Sequence, residues 1–369
     1  MQCKYFGECG SCVLYEGGYE WQLSQKEQLQ KERFAHLYNK EFDIFRSYEQ
    51  HYRARSEFRI WHKEDEIFYA MNKQKAKHEV VLIDECPQVA TPIATLMPKL
   101  IEAIKELDLG FKLFGIDFLS TSKGEVVASL LYHKKLDDAW QEKAQQLSQK
   151  LNISIIGRAR KQKIVIGQDF VTESLKVFDK EYHFKHIENS FTQPNTHVNE
   201  QMIEWALKNV ANDGGDLLEL YCGAGNFTIP FASKFDKVLA TEISKSSINA
   251  AKENMKLNNV ENIEFIRMSV EEFVEALEGV REFNRMKHIS LEEYNLQTVF
   301  VDPPRAGLDD SSREFISRYK NILYISCNPE TLLRDLEFLT KNYKIEKMAL
   351  FDQFPYTNHL EMGVKLTKK

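Results

Sequence analysis

The chain has 369 residues, 43% hydrophobic and 28% charged, with 16 Gly, 9 Pro and a net charge of −6. That composition excludes collagen-like, low-complexity and wholly disordered chains, and the length suits two domains. No apolar run approaches the ~18 residues that cross a bilayer. The start, MQCKYFGECGSC, lacks the charged-then-apolar pattern of a secretory signal. The sequence therefore reads as a cytoplasmic protein with no membrane partner and no evident obligate protein partner.

Residues 17–40 read as a helix, with Trp21, Leu23, Leu29, Phe34 and Leu37 spaced for one face. Between 51 and 180, SEFRIWH, FLSTS, EVVASLLYH, ISIIGRA and KIVIG have strand character, while TPIATLMPKLIEAIKELD and KLDDAWQEKAQQLSQKLN have helical periodicity. This segment is mildly basic, with 21 Lys and Arg against 18 Asp and Glu. Such a balance suits a polyanion, and equally an ordinary solvated surface. Its local run GRARKQK (Arg158, Arg160, Lys161, Lys163) suits phosphates, although an exposed strand looks the same.

After residue 196 the strands DLLELY, KVLATEI, NIEFIRM, TVFVD, NILYIS and KIEKMALFD alternate with helices such as NFTIPFASKF, and LEMGVKL ends the series. That alternation predicts an α/β fold with a doubly wound, mostly parallel sheet, interrupted by a polar stretch over 280–297. The first strand runs into Tyr221-Cys222-Gly223-Ala224-Gly225-Asn226, where glycines let the backbone approach a ligand. The next strand ends at Glu242, placed to hold ribose hydroxyls. The third glycine of a dinucleotide fingerprint is replaced by Thr228, so S-adenosylmethionine (SAM) fits better than NAD. Cys222 reads as a small buried hydrophobe. Asp302 and Cys327 end two later strands and should face the same cleft. Cys327 lies beside a helix start, where a thiolate is stabilised.

The segments SFTQPN, ELYCGAGNF, VREFNR, DPPRAGLD, YISCNPETL and LFDQFPYTNHLE, in this order, resemble the SAM-dependent RNA uracil-C5 methyltransferases. Within that family the match is to the branch acting on tRNA and tmRNA, from about residue 45 to the C-terminus. The resemblance implies a Rossmann-like methyltransferase domain that makes 5-methyluridine in the T arm of tRNA, and in tmRNA. It assigns SAM contacts to Gln193, Tyr221, Gly223, Asn226, Glu242 and Asp302. Cys327 would be the nucleophile and Glu361 the proton acceptor. Arg59, Phe114 and His133 match RNA contacts; Arg305 would hold a phosphate or the developing enolate, or else form a surface ion pair. The cytosine-C5 enzymes carry a cysteine near the DPP-like position; here Asp302-Pro303-Pro304-Arg305 has none, which favours uracil.

Cys3, Cys9, Cys12 and Cys86 resemble the four ligands of a [4Fe–4S] cluster in the ribosomal-RNA branch. Zinc on the same thiols is the runner-up, and a remnant without metal the third reading. The pattern keeps ribosomal RNA open as the alternative substrate. Two features favour tRNA: the VREFNR insertion with the QFPYTNHLE ending, and no room before the cysteines for an OB-like domain. The expected division is a Cys-rich segment and helix over 1–45, an α+β RNA-binding domain over 46–180, and the methyltransferase domain over 181–369.

Overall fold

Strands covered on both faces must be apolar along their length, and Asp216–Leu220 and Asn321–Ser326 are buried at every position. They sit at the centre of the larger sheet in the computed structural model, which describes residues 1–211 and 214–369.

The N-terminal part supplies α1 (Gly18–Phe34) and β1 (Asp43–Phe45). Next come β2 (Arg55–Lys63), β3 (Glu66–Lys73), β4 (Ala76–Ile83), α2 (Thr91–Glu106), β5 (Leu113–Ser120), β6 (Val126–Tyr132), α3 (Asp138–Leu151), β7 (Ser154–Ala159) and β8 (Gln162–Ile166). Among the described residues these seven strands form one sheet in the order β4-β3-β2-β5-β6-β7-β8. Ile93, Met97, Leu100 and Ile104 of α2 and Trp140 and Leu147 of α3 enter the core of this sheet. A hairpin, β9 (Phe170–Val177) and β10 (Lys180–Ile187), follows.

The larger sheet is built from α4 (Thr196–Asn209), β11 (Asp216–Leu220), α5 (Thr228–Phe231), β12 (Val238–Glu242), α6 (Lys245–Leu257), β13 (Ile263–Arg267) and α7 (Val270–Leu277). It continues with β14 (Leu296–Val301), α8 (Asp310–Ile316), β15 (Asn321–Ser326), α9 (Pro329–Leu339), β16 (Tyr343–Phe351) and β17 (Glu361–Lys368). The order is β1-β16-β17-β15-β14-β11-β12-β13, with β17 alone of the eight running antiparallel to its neighbours. The mostly parallel sheet follows the alternating pattern. Two expectations shift. The helix expected over 226–235 shrinks to Thr228–Phe231. The polar stretch over 280–297 holds two short 3-10 turns before β14 begins at Leu296. Among the described residues no helix is long and apolar enough to cross a membrane.

One buried ion pair ties α1 to the segment before β17. Lys26 Nζ donates to Asp352 Oδ1 at 2.6 Å and to the Phe354 carbonyl at 2.9 Å. Gln22 Nε2 donates to Asp352 Oδ2, and its carbonyl oxygen accepts from Tyr356 N. Burial pulls the Lys26 ammonium below its usual range, with the Asp352 carboxylate opposing. Removing one partner of such a pair leaves the other charged and unpaired, at a cost of about 3–5 kcal/mol. Lys26→Met should lose that much in urea unfolding. Adding Asp352→Asn should recover most of it; an unchanged midpoint for the single variant would contradict the pairing.

Candidate active site

Parallel strands end at one edge of the sheet, and an antiparallel strand between them begins there. That places Glu361, the first residue of β17, beside the strand ends. Ser326 of β15 pairs with Met362 of β17. Extending the register by one residue sets Cys327 across from Glu361. The β11–β14 register aligns Leu220 with Val301, so Tyr221 and Asp302 leave that edge side by side. Asn328 caps α9 by accepting from Glu330 N at 3.1 Å, which fixes the turn after Cys327.

The electrostatics correct one expectation. The helix start beside Cys327 does not leave a thiolate: burial first, then the Glu361 and Asp302 carboxyls, push the thiol up to about 12. Arg305 acts in the other direction but more weakly. Burial pushes Asp302 up to about 7, and burial together with Asp302 pushes Glu361 well above the carboxylate range. Glu361 is 5% exposed. Burial thus favours the protonated form of all three groups. The Cys327 thiol is largely protonated near neutral pH. Iodoacetamide labelling of the Cys327 peptide should therefore rise about tenfold per pH unit between 7 and 10. A plateau near pH 8–9 would contradict this.

A cavity of about 520 Å³ opens among the strand-end loops, lined by Tyr221, Glu242, Ile243, Met268, Asp309 and Arg334 among others, with Cys327 and Glu361 outside its lining. Tyr221 has a left-handed backbone (φ 62°), strain of the kind that collects at ligand sites. Gly223 (φ 55°) follows; a side chain there would meet open space, so its glycine serves conformation. Glu242 Oε2 accepts from Gly223 N at 3.2 Å, joining the two strand ends. Asn226 and Asn199 exchange amide hydrogen bonds at 2.9 Å, and Gln353 Nε2 donates to Gln193 Oε1 at 2.8 Å. Tyr221 and Glu242 line the cavity directly; Gln193, Gly223, Asn226 and Asp302 do not. Glu271, Asp309 and Arg334 were not singled out from sequence, although Asp309 closes the DPPRAGLD segment. Cys222 is buried, as a small hydrophobe should be.

Phe114 and His133 meet at the end of the β5–β6 pair, and Arg59 lies on the adjacent strand β2. The register of β5 against β6 shifts between Leu113 and Gly115, a bulge that turns Phe114 outward. Phe114 stacks on His133 with centroids 4.0 Å apart. Arg59 pairs with Gly115 across β2–β5 and donates to Asn72 Oδ1. Arg305 lies instead at the strand-end site; its guanidinium makes no ion pair among the described residues, and its carbonyl accepts from Asn328 Nδ2. The basic run is half neutralised: Arg158 pairs with Glu188, and Lys163 with Asp169 and Glu188. A cleft of about 490 Å³, lined by Arg53, Arg55, Phe191 and Phe354, was not anticipated. Phe191 and Phe354 fall in SFTQPN and LFDQFPYTNHLE but carry no catalytic atom, so nothing marked them.

Cys3, Cys9, Cys12 and Cys86 line one small cavity of about 20 Å³, room for about one water. Burial raises all four thiols, Cys86 to about 11, and Gln88 Nε2 donates to Cys12 Sγ at 2.9 Å. The donors match a four-thiolate set in identity and number. Their arrangement does not form a centre: among the described residues no group of three or more His, Cys, Asp or Glu is placed to hold a metal ion.

Residues 18–369 match the family described as tRNA (Uracil-5-)-methyltransferase. The tRNA/tmRNA (uracil-C(5))-methyltransferase of Sulfurimonas denitrificans is 63% identical over 370 residues, spanning 100% of both chains. Its namesake from Campylobacter concisus is 50% identical over 370 residues, again with 100% of both. Among solved structures, the Pyrococcus abyssi tRNA (uracil-54, C5)-methyltransferase in complex with S-adenosyl-L-homocysteine is similar with a TM-score of 0.71 and 26% identity. That match covers 95% of this chain and 84% of the other. With a strand-end cysteine facing a carboxylate and a matched family spanning nearly its whole length, the chain belongs to the tRNA (uracil-5-)-methyltransferase family.

Proposed function

We propose that the protein transfers a methyl group from SAM to C5 of the T-loop uridine of tRNA, and to the equivalent uridine of tmRNA. The register that sets Cys327 across from Glu361 at the strand ends carries the reading. The cavity fits an adenosine: Glu242 suits the ribose hydroxyls, and Ile243, Met268, Val270 and Leu308 offer apolar walls to the base. Gln193, Tyr221, Gly223, Asn226 and Asp302 complete the SAM contacts. SAM, when bound, supplies a methyl group on an electrophilic sulfonium.

Uracil C5 is a weak nucleophile until the ring is activated. The Cys327 thiol gives up its proton to solvent and, as the thiolate, adds to C6, forming the S–C6 bond and moving the C5=C6 pair into an enolate with density at C5. C5 then takes the methyl as the sulfonium bond breaks. Glu361, once ionised, removes the remaining C5 proton; C5=C6 reforms and the S–C6 bond breaks. A carboxylate with a raised pKa is the stronger acceptor, so burial serves the step. Arg305 offers its free guanidinium to a phosphate or to the enolate oxygen. The smaller sheet, with Arg59, Phe114 and His133, receives the RNA, and Phe114 fills or braces the gap left by the extruded uridine.

Incubation with methyl-labelled SAM and unmodified tRNA or rRNA transcripts tests the reading. About one label per tRNA, lost when the T-loop uridine is replaced by cytidine, is expected. Label in rRNA alone, or in neither, would overturn it.

A further inference from the structure

An exposed phenylalanine is by itself ordinary on a protein surface. Phe111 is 63% exposed, but its surroundings are not ordinary. Lys112 Nζ stands 5.5 Å and Lys134 Nζ 5.4 Å from its ring centroid. Among the described residues neither ammonium makes an ion pair, nor does that of Lys135. Nearby lysines behave differently: Lys105 pairs with Glu66, Lys143 with Asp108 and Lys150 with Glu106.

The backbone builds this arrangement. Lys112 is held left-handed (φ 58°), and its carbonyl accepts from His133 N at 3.0 Å. Leu113 pairs with Tyr132 and points into the core. Phe111 and Lys112 therefore sit in the turn that leads into β5, and His133 and Lys134 in the bend that follows β6. Two exposed aromatic positions and two unneutralised cations lie along one edge. Every nucleobase has a face that stacks on an aromatic ring, and every nucleotide brings a phosphate.

We propose that Phe111, Lys112 and Lys134 form a second RNA-contact platform, separate from the Phe114–His133 stack, that takes one unpaired base and its flanking phosphates. It rests on the reading of the protein as an RNA-modifying enzyme. The target uridine goes to Cys327, so the platform holds another unpaired nucleotide of the same RNA. Charge complementarity selects the occupant: unpaired ammonium groups around a stackable ring match a base between phosphates.

Phe111→Ala should weaken binding of unmodified tRNA about 5- to 150-fold, the span for removal of one base–aromatic stack. The loss should appear in KM for tRNA rather than in kcat. The double variant Lys112→Ala, Lys134→Ala should lower the slope of log K against log salt by about 1 for each phosphate left without its lysine. Phe178→Ala serves as control, since Phe178 is also exposed and has Lys208 5.0 Å from its ring, but lies on the β9–β10 turn. It should bind tRNA like the parent. If the parent binds tRNA while the Phe111 and lysine variants match it within twofold, the platform is wrong. The same holds if Phe178→Ala weakens binding equally. A parent that binds no tRNA would overturn the RNA reading and the platform together.

Discussion

Cys327→Ala is expected to lower kcat for tRNA methylation by about 10⁴- to 10⁶-fold, the scale on which removal of a covalent nucleophile is felt. The thiol acts only in the chemical step, so SAM and tRNA should bind the variant nearly as well as the parent. The substitution also removes little packing, because Cys327 is partly exposed. Equilibrium binding of both ligands, measured beside single-turnover methyl transfer, separates the step from the site. Retained turnover above about 1% of the parent would end the nucleophile assignment.

Glu361→Gln is expected to cost about 10²- to 10⁴-fold in turnover, the usual contribution of a positioned general base. Burial favours the protonated Glu361 carboxyl, which glutamine matches closely in shape and charge, so the variant should fold normally. The parent enzyme needs Glu361 ionised, and its folded-state pKa is raised. Turnover should therefore climb as pH rises across roughly 6–9, because both the Cys327 thiol and the Glu361 carboxyl must give up protons that burial favours. A parent profile that falls over the same range would contradict the assignment.

The chemistry at the larger sheet was legible because it sits at strand ends, and the strands are long apolar runs with helices between. The smaller sheet was harder to read. Strand β1 of the larger sheet was missed, and so were β3 and β4 of the smaller one and the separate hairpin of β9 and β10. Their hairpin turns, like that from β2 to β3, put Glu64, Lys75 and Phe178 in left-handed backbone, where a Gly or Asn would ordinarily announce the turn. The basic run failed for a related reason: Glu188 and Asp169, which neutralise Arg158 and Lys163, are brought to them by β10 and by the loop before β9. The state of Cys327 could not be read locally either. Its thiol is set by a carboxyl that arrives from the start of β17 and by burial that exists only once the sheet is assembled. Arg334 and Glu271 reach the large cavity from helices α9 and α7, with no motif to mark them.

Covalent capture tests the central claim most directly. Glu361→Gln, mixed with unmodified tRNA and methyl-labelled SAM, should form a protein–RNA species that survives denaturation and carries the label. After nuclease and protease digestion, mass spectrometry should place a methylated, C5-protonated uridine on the peptide containing Cys327. Adding Cys327→Ala to the same protein should abolish that species. Rapid methylation by Glu361→Gln with no covalent species, or an adduct on any other residue, would contradict the pairing of Cys327 and Glu361 as nucleophile and base.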